Sequence, residues 1–470
     1  MSRDNYGLKP VPPDADAAVP QVDGQGRVDP LQELRVDFNE PTAAAGWLRT
    51  TAAVRERAAQ LLARARRGES EWFTIGADSA LDEAARSVAD VTRERYPSGR
   101  IPFHSRWRHF EAGGVDRLAE LDKLLGDNVS ARERARIQID LVLVSVLLDA
   151  GAGADWHYVE SATGQRFTRS EGLGVASFHA FTSGLFSSNP DRPLQADAAG
   201  LRALVTDRLA QAFQLSDVNP LVGIAGRATL LRRLGEALGE QPEIFGDEGR
   251  PGRLFDTLVG AYGPEAPPTA EVKVHELLST VLTGLSGIWP AANSIDSIAA
   301  DGSDMAGGIV SSDPAHALGD CWRHGAAHGP GLTNGWVPFH KLSQWLTYSL
   351  LEPFDRAGVR VSGLDALTGL PEYRNGGLLL DSGVIVPRDD AALERSWKVG
   401  DEFVVEWRAL TVALLDELAP RVRKRLGRSA DELPLACVLE GGTWAAGRVL
   451  AQRLRDGAPP IRIESDGTVF

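Results

Sequence analysis

The sequence predicts a mostly α fold with a few short β-hairpins. Apolar residues recur at helical spacing over long stretches, and strand-like alternation is confined to short pieces. From Pro41 to Arg67 Ala, Leu and Arg dominate, and the Arg-rich end suits a helix C-terminus. Residues 131–153, ARERARIQIDLVLVSVLLDAGAG, begin charged and become almost wholly apolar. That length favours a buried helix over a strand, with Gly151 as its stop. Further helices fit 197–214, 219–239, 271–286, 338–353, 391–426 and 443–455. YVESATGQRFTR predicts a hairpin turning at Thr163-Gly164, and IRIESDGTVF another at Asp466-Gly467.

Residues 1–30, rich in Pro, Asp and Gly, read as a flexible tail. Composition breaks near residue 90, across 240–270 and across 291–336. We divide the rest into an N-terminal helical region (31–95), a helical core (96–390) and a C-terminal part of helices and a short hairpin (391–470). No repeat of 20–50 residues is present.

The bulk numbers exclude several function classes. Of 470 residues, 43% are hydrophobic, ample for a large core. Fifty basic against 64 acidic side chains give a net charge of −14, which argues against nucleic-acid or membrane-surface partners. A local basic pocket for a small anion stays open. The two cysteines, Cys321 and Cys437, do not make a disulfide framework, and the N-terminus lacks the basic start and apolar run of a signal peptide. A cytoplasmic location is the expectation, with the oligomeric state left undetermined.

No G-x-S-x-G elbow, phosphate loop or H-E-x-x-H motif occurs. Cys321, His324 and His328 have the i, i+3, i+7 spacing of a zinc-binding helix face, but Gly325, Gly329, Pro330 and Gly331 oppose a helix there. A polar loop lining a cavity is the better reading, and neither metal nor cofactor is expected. Residues 98–117, SGRIPFHSRWRHFEAGGVDR, are the densest basic patch. If extended, His104, Arg106 and Arg108 point to one side, as a row for phosphate or carboxylate; structural ion pairs explain them equally well.

In VPFHKLSQWLTYSLLEPF, Phe339, Leu342, Leu346 and Leu350 form a core-facing stripe. Lys341, Gln344, Trp345, Tyr348 and Glu352 fall opposite. A solvated face is the default for such a stripe, but its Trp and Tyr point to a second buried surface, such as a cavity wall. Thirty-one residues after Lys341 comes Glu372, followed by Tyr373 and Arg374 in LTGLPEYRNGG. A lysine and a carboxylate so placed can converge.

Several long segments resemble the Urc/Urg uracil-catabolism family, its fourth Urc component: FHSRWRHFEAGGVDR, EGLGVASFHAF, SDVNPLVGIAGRATLLRRLG, LEGGTWAAGR and the terminal SDGTVF. The likeness runs over almost the whole chain after the tail. It implies a place in a route that turns uracil, through its ribosylated form, toward urea and a three-carbon acid. Ribosylurea is an expected intermediate of that route.

A fainter likeness adds mechanism. G-x-R-F-T at 164–168, NPLVGIAGRATLLRRLGEAL at 219–238, PFHKLSQWL at 338–346 and GLDALTGLPEYR at 363–374 are similar, in order and spacing, to the queuosine-salvage nucleosidases. Those are helical proteins related to helix-hairpin-helix glycosylases. They carry an active-site Lys and Asp, which by position fall on Lys341 and Glu372. Glu in place of Asp adds a methylene, so the site must be rebuilt around it. Asp365 matches another acidic position and is the fallback carboxylate.

Together the two likenesses imply cleavage of an N-ribosyl bond in a ribosylurea-type, optionally phosphorylated, substrate. The transition state is oxocarbenium-like, so a carboxylate such as Glu372 can stabilise charge, attack, or activate water. Three roles are open to Lys341: keeping the carboxylate ionised, contacting a ribose hydroxyl, or assisting the leaving nitrogen. Trp345 or Tyr373 would wall the sugar, Tyr348 and Arg374 would add contacts, and Arg106 and Arg108 would suit a phosphate. Two alternatives remain: a ring-opening or amide-cleaving hydrolase using the Cys321/His324/His328 group, and a non-catalytic binding component.

Overall fold

The architecture grows around two long buried helices. In the computed structural model, residues 37–153, 155–260, 270–288, 293–295 and 316–464 are described. The tail (1–30), the second hairpin turn at Asp466-Gly467 and the terminal SDGTVF lie outside them.

The first central helix, Ala131–Leu147, starts where Ser130 caps it: the Ser130 hydroxyl accepts from Glu133 N at 3.2 Å. From Ile137 onward every residue is buried, because the helix is largely apolar, its few polar side chains such as Asp140 and Ser145 are bonded by Arg250 and Arg106, and it is packed by Arg169–Thr182, Leu254–Val259 and Lys341–Arg356. The helix ends at Leu147, four residues before the predicted glycine stop. The second, Glu402–Leu426, packs on Thr51–Arg66 and Asp78–Arg95 and closes on Gly427 in the left-handed conformation.

Most predicted helices are present in trimmed form. The stretch 41–67 becomes Pro41–Leu48 and Thr51–Arg66, because Thr50 caps a new helix with its hydroxyl. The stretch 197–214 likewise divides into Ala198–Arg202 and Thr206–Ala212, and 219–239 begins only at Ile224. The composition break near residue 90 falls inside the helix Asp78–Arg95. The helix expected over 391–426 begins at Glu402, after a 3-10 turn Asp390–Glu394 and a strand Ser396–Lys398.

The described strands are all three residues long and form two-stranded sheets. The hairpin at Thr163-Gly164 is there: His157–Val159 pairs antiparallel with Arg166–Thr168. Of the expected C-terminal hairpin only the first strand lies within the described residues. Arg462–Glu464 pairs in parallel with Ser396–Lys398, which covers its edge with a distant segment. Glu271–Lys273, predicted helical, pairs in parallel with Arg360–Ser362 before the helix Val274–Gly284 starts.

No helix among the described residues is long and apolar enough to cross a membrane.

Candidate active site

Lys341 opens the helix Lys341–Arg356 directly after His340, which holds the left-handed conformation (φ 50°) rare for non-glycine residues. Asp320 fixes this start. Its backbone oxygen accepts from Phe339 N (2.9 Å) and His340 N (3.2 Å), and its carboxylate accepts from Lys341 N at 3.0 Å. That carboxylate is itself gripped by both terminal nitrogens of Arg408, each at 2.8 Å. Arg408 also reaches the carbonyl of Pro371 at 3.4 Å, so one buried guanidinium braces both Lys341 and the turn before Glu372.

Glu372 is the N-cap of the helix Tyr373–Asp381. Its two carboxylate oxygens accept from Arg374 N (2.8 Å) and Asn375 N (2.6 Å). The run LEGGTWAAGR packs against this helix. Gly447 lets Trp444–Arg455 lie directly on the carbonyl of Arg374, where any Cβ would overlap it. The preceding π-helical turn, Leu439–Thr443, carries Glu440.

These elements enclose a cavity of about 740 Å³ whose wall includes Lys341 and Glu372 together with His104, Arg108, Trp345, Tyr373 and Arg374. The expected convergence is therefore real in space. Six Lys or Arg side chains line it against four carboxylates, so the cavity is locally basic in an acidic protein. The charges interact strongly. Burial raises the Glu372 carboxyl above its ordinary value, more than its two backbone bonds and Lys341 lower it. Burial lowers the Lys341 ammonium, with Arg408 adding repulsion.

Three predicted residues lie off the wall. Arg106 is fully buried beneath it, bonded to Ser145 Oγ (2.6 Å) and the Ser170 carbonyl (3.2 Å) and ion-paired with Asp149 at 2.9 Å. The expected extended row does not form, because Trp107 and Phe110, at i and i+3, bury one face of a short helix Trp107–Phe110. Arg108 does reach the wall, but ion-paired with Glu352 (2.8 Å) and Glu111 (3.0 Å). Tyr348 is wholly in the core, its hydroxyl donating to the Thr368 carbonyl at 3.0 Å. The stripe opposite Phe339 is thus buried at Gln344 and Tyr348, and neither solvent nor cavity receives those two. Asp365 sits exposed on the 3-10 turn Leu364–Ala366, outside the wall.

The structure adds residues that the sequence reading missed. Asp149 follows the central helix, in a loop whose carbonyls at 148, 150 and 151 are held by buried Arg227 from SDVNPLVGIAGRATLLRRLG. Burial opposes its charge, but the Arg106 guanidinium, first of all, and the Ser170 hydroxyl work against that, and the Asp149 carboxyl lies below its ordinary value. His109, pushed down to about 3 by burial and by Arg106, stays neutral. Glu440 and Trp444 complete the wall. The sequence did carry a signal for Asp149: a carboxylate closing the apolar run LVLVSVLLD, just before small residues.

The Cys321/His324/His328 group takes another form. Cys321–Arg323 is a strand paired with Trp336–Pro338, and His324 faces Glu406 at 3.2 Å. Among the described residues, no three His, Cys, Asp or Glu side chains are grouped to hold a metal ion.

Comparison with known proteins places the sequence in a family. Protein urg3 of Schizosaccharomyces pombe is 40% identical over 424 residues, covering 89% of this chain and 96% of that one. Uracil catabolism protein 4 of Lachancea kluyveri is 37% identical over 419 residues, covering 83% and 91%. The family described as a protein of unknown function, DUF1688, matches residues 47–470, and the chain belongs to that family.

Proposed function

We propose that this chain acts in uracil catabolism as an N-ribosyl hydrolase, releasing urea and ribose, or ribose phosphate, from a ribosylurea-type substrate. One observation carries the reading. Lys341 and Glu372, from segments 31 residues apart, enter one basic cavity in which Glu372 and Asp149 are pushed in opposite directions. Two carboxylates so divided suit two roles: one exchanges a proton, while the other stays ionised against developing positive charge. Glu372, with its raised value, is the base that takes a proton from the attacking water. Asp149, clamped by Arg106, is the fixed negative charge near the oxocarbenium-like carbon. Lys341 lies between these charges electrostatically, interacting with both.

The name of the Lachancea relative supports the pathway, and the likeness to the queuosine-salvage nucleosidases supports the bond type and a glycosylase-like fold. The test is mass spectrometry of purified protein incubated separately with uracil, uridine, UMP, ribosylurea and ribosylurea phosphate. Release of urea from either ribosylurea substrate is the expected result. Loss of uridine or UMP with no attack on ribosylurea would change the substrate, and no turnover of any of them would remove the hydrolase reading.

A further inference from the structure

Urea departs poorly as an anion, so cleavage of a ribosylurea needs a proton delivered to the departing nitrogen. This requirement rests on the N-ribosyl hydrolase reading above. Glu372 does not suit it well, since both of its oxygens accept backbone N–H groups, bonds that favour the ionised carboxylate over a proton-carrying acid.

His104 is built differently from a simple anion ligand. Its Nδ1 lies 2.8 Å from Glu440 Oε2. The other Glu440 oxygen accepts from Tyr96 Oη (2.8 Å) and Arg95 Nη2 (3.0 Å), so the carboxylate is held on three sides. His104 N donates to the Ala436 carbonyl at 3.0 Å, and the ring lies 6.4 Å from that of Trp444. These partners hold Glu440 ionised: His104, Arg95 and Tyr96 outweigh burial and bring it to about 2. The carboxylate sits on a π-helical turn, a local insertion often found at functional sites.

An ionised carboxylate only accepts hydrogen bonds, so Nδ1 carries a hydrogen in either charge state of the ring. Nε2 is then the atom that gains and loses a proton. Among the described residues it has no hydrogen-bond partner, and the ring forms part of the cavity wall. His104 and Glu372 face the same space and interact electrostatically.

We propose that His104, oriented by Glu440, is the general acid that protonates the leaving nitrogen. The C1′–N bond breaks and its electron pair goes to nitrogen, which takes the proton from Nε2. Water oxygen bonds to C1′ and gives its proton to Glu372. Transfer from Glu372 to Nε2 through solvent restores the starting state, so the balance is substrate plus water to ribose plus urea. Glu440 is a positioning residue: it fixes the orientation of the ring and keeps the hydrogen on Nδ1.

The test compares His104→Gln and Glu440→Gln with wild type on ribosylurea and on p-nitrophenyl riboside, whose phenolate leaves without protonation. Both variants are checked for unchanged circular dichroism, and His104→Gln, at the cavity surface, is the decisive one if Glu440→Gln fails to fold. His104→Gln should lower kcat on ribosylurea by about 10² to 10⁴-fold and leave p-nitrophenyl riboside within about threefold. Glu440→Gln should lower kcat in the same selective way, with little change in KM. Equal losses on both substrates, or none, would overturn the assignment.

If wild type cleaves neither substrate, the ribosyl-hydrolase reading itself falls and the acid role falls with it. If it cleaves ribosylurea alone, the pH–rate profile decides. Glu440 bonds the ring, Glu372 and His109 act on it electrostatically, Arg95 and Tyr96 bond Glu440, and Arg108 shares the wall, in wild type and variant alike, so only the imidazole differs. Loss of the alkaline limb in His104→Gln supports the role, and retention of that limb overturns it.

Discussion

Arg408 and Asp320 form a buried, two-pronged ion pair, each guanidinium nitrogen 2.8 Å from a carboxylate oxygen, and the same pair braces both halves of the cavity. Burial opposes the Asp320 charge, but Arg408, Trp322 and the Lys341 amide outweigh it and bring the group from its ordinary 3.8 to about 2. A folded value below the unfolded one means stability that is present above about pH 4 and lost as pH falls toward 2. Asp320→Asn removes the carboxylate that Arg408 grips in the core, which should cost about 3–5 kcal/mol at pH 7. Urea titrations from pH 7 down to pH 2 should show the gap to wild type narrowing below about pH 4. A gap that stays constant across that range would mean that Asp320 is not the ionised partner.

Arg106 should behave as a structural residue. Arg106→Met removes the ion-pair partner of Asp149 and the bonds to Ser145 and Ser170, leaving the buried carboxylate only the longer-range charges of Lys341 and Arg227. The expected loss is again about 3–5 kcal/mol in chemical denaturation, with turnover falling because Asp149 then takes up a proton more readily. A variant of wild-type stability that only raises KM for a phosphorylated substrate would return Arg106 to the anion-binding role.

Gly447 tests how the motif LEGGTWAAGR positions Glu372. A methyl group there would overlap the Arg374 carbonyl, which is backbone and cannot swing aside. Gly447→Ala should therefore force apart the helices Trp444–Arg455 and Tyr373–Asp381, at about 1–3 kcal/mol, and displace Glu372 from Lys341. Turnover should fall more than the small loss of folded protein explains. Gly46→Ala, where a Cβ meets nothing within 4 Å, is the control and should leave both properties near wild type.

Helix existence was legible in the sequence because long periodic runs carry their own signal, as in 131–147 and 402–426. Three-residue strands carry no such signal, and the pairing of Phe73–Ile75 with Ile385–Pro387 depends on segments some 310 residues apart. The site was legible where a motif marked it: Lys341, Glu372, Trp345 and Tyr373 all reach the wall. It was misread where side-chain direction depended on backbone state. The extended reading of 98–117 put Arg106 beside Arg108, whereas the turn into Trp107–Phe110 sends Arg106 inward to Asp149. Tyr348 was misplaced for a related reason: its helix is buried on both sides, so a polar stripe there meets core carbonyls as readily as a cavity.

Glu372 has a competing explanation, that it is only a helix cap, and the two accounts predict different variants. Glu372→Gln keeps shape and one accepting oxygen, so a pure cap should lose at most about 0.5–2 kcal/mol of stability, with activity following the folded fraction. A base in the chemical step should instead lose about 10² to 10⁴-fold in kcat while substrate binding survives. Lys341→Met should also cut turnover, and the double variant should fall short of the summed losses if the two act as a unit. Thermal shift and isothermal titration with ribosylurea separate stability and binding from turnover. Asp365→Asn, exposed on its 3-10 turn, should remain near wild type in all three measurements. If Asp365→Asn abolishes turnover while Glu372→Gln does not, the wrong carboxylate has been assigned. If Glu372→Gln and Lys341→Met both turn over normally, the cavity is a binding site and the hydrolase proposal fails.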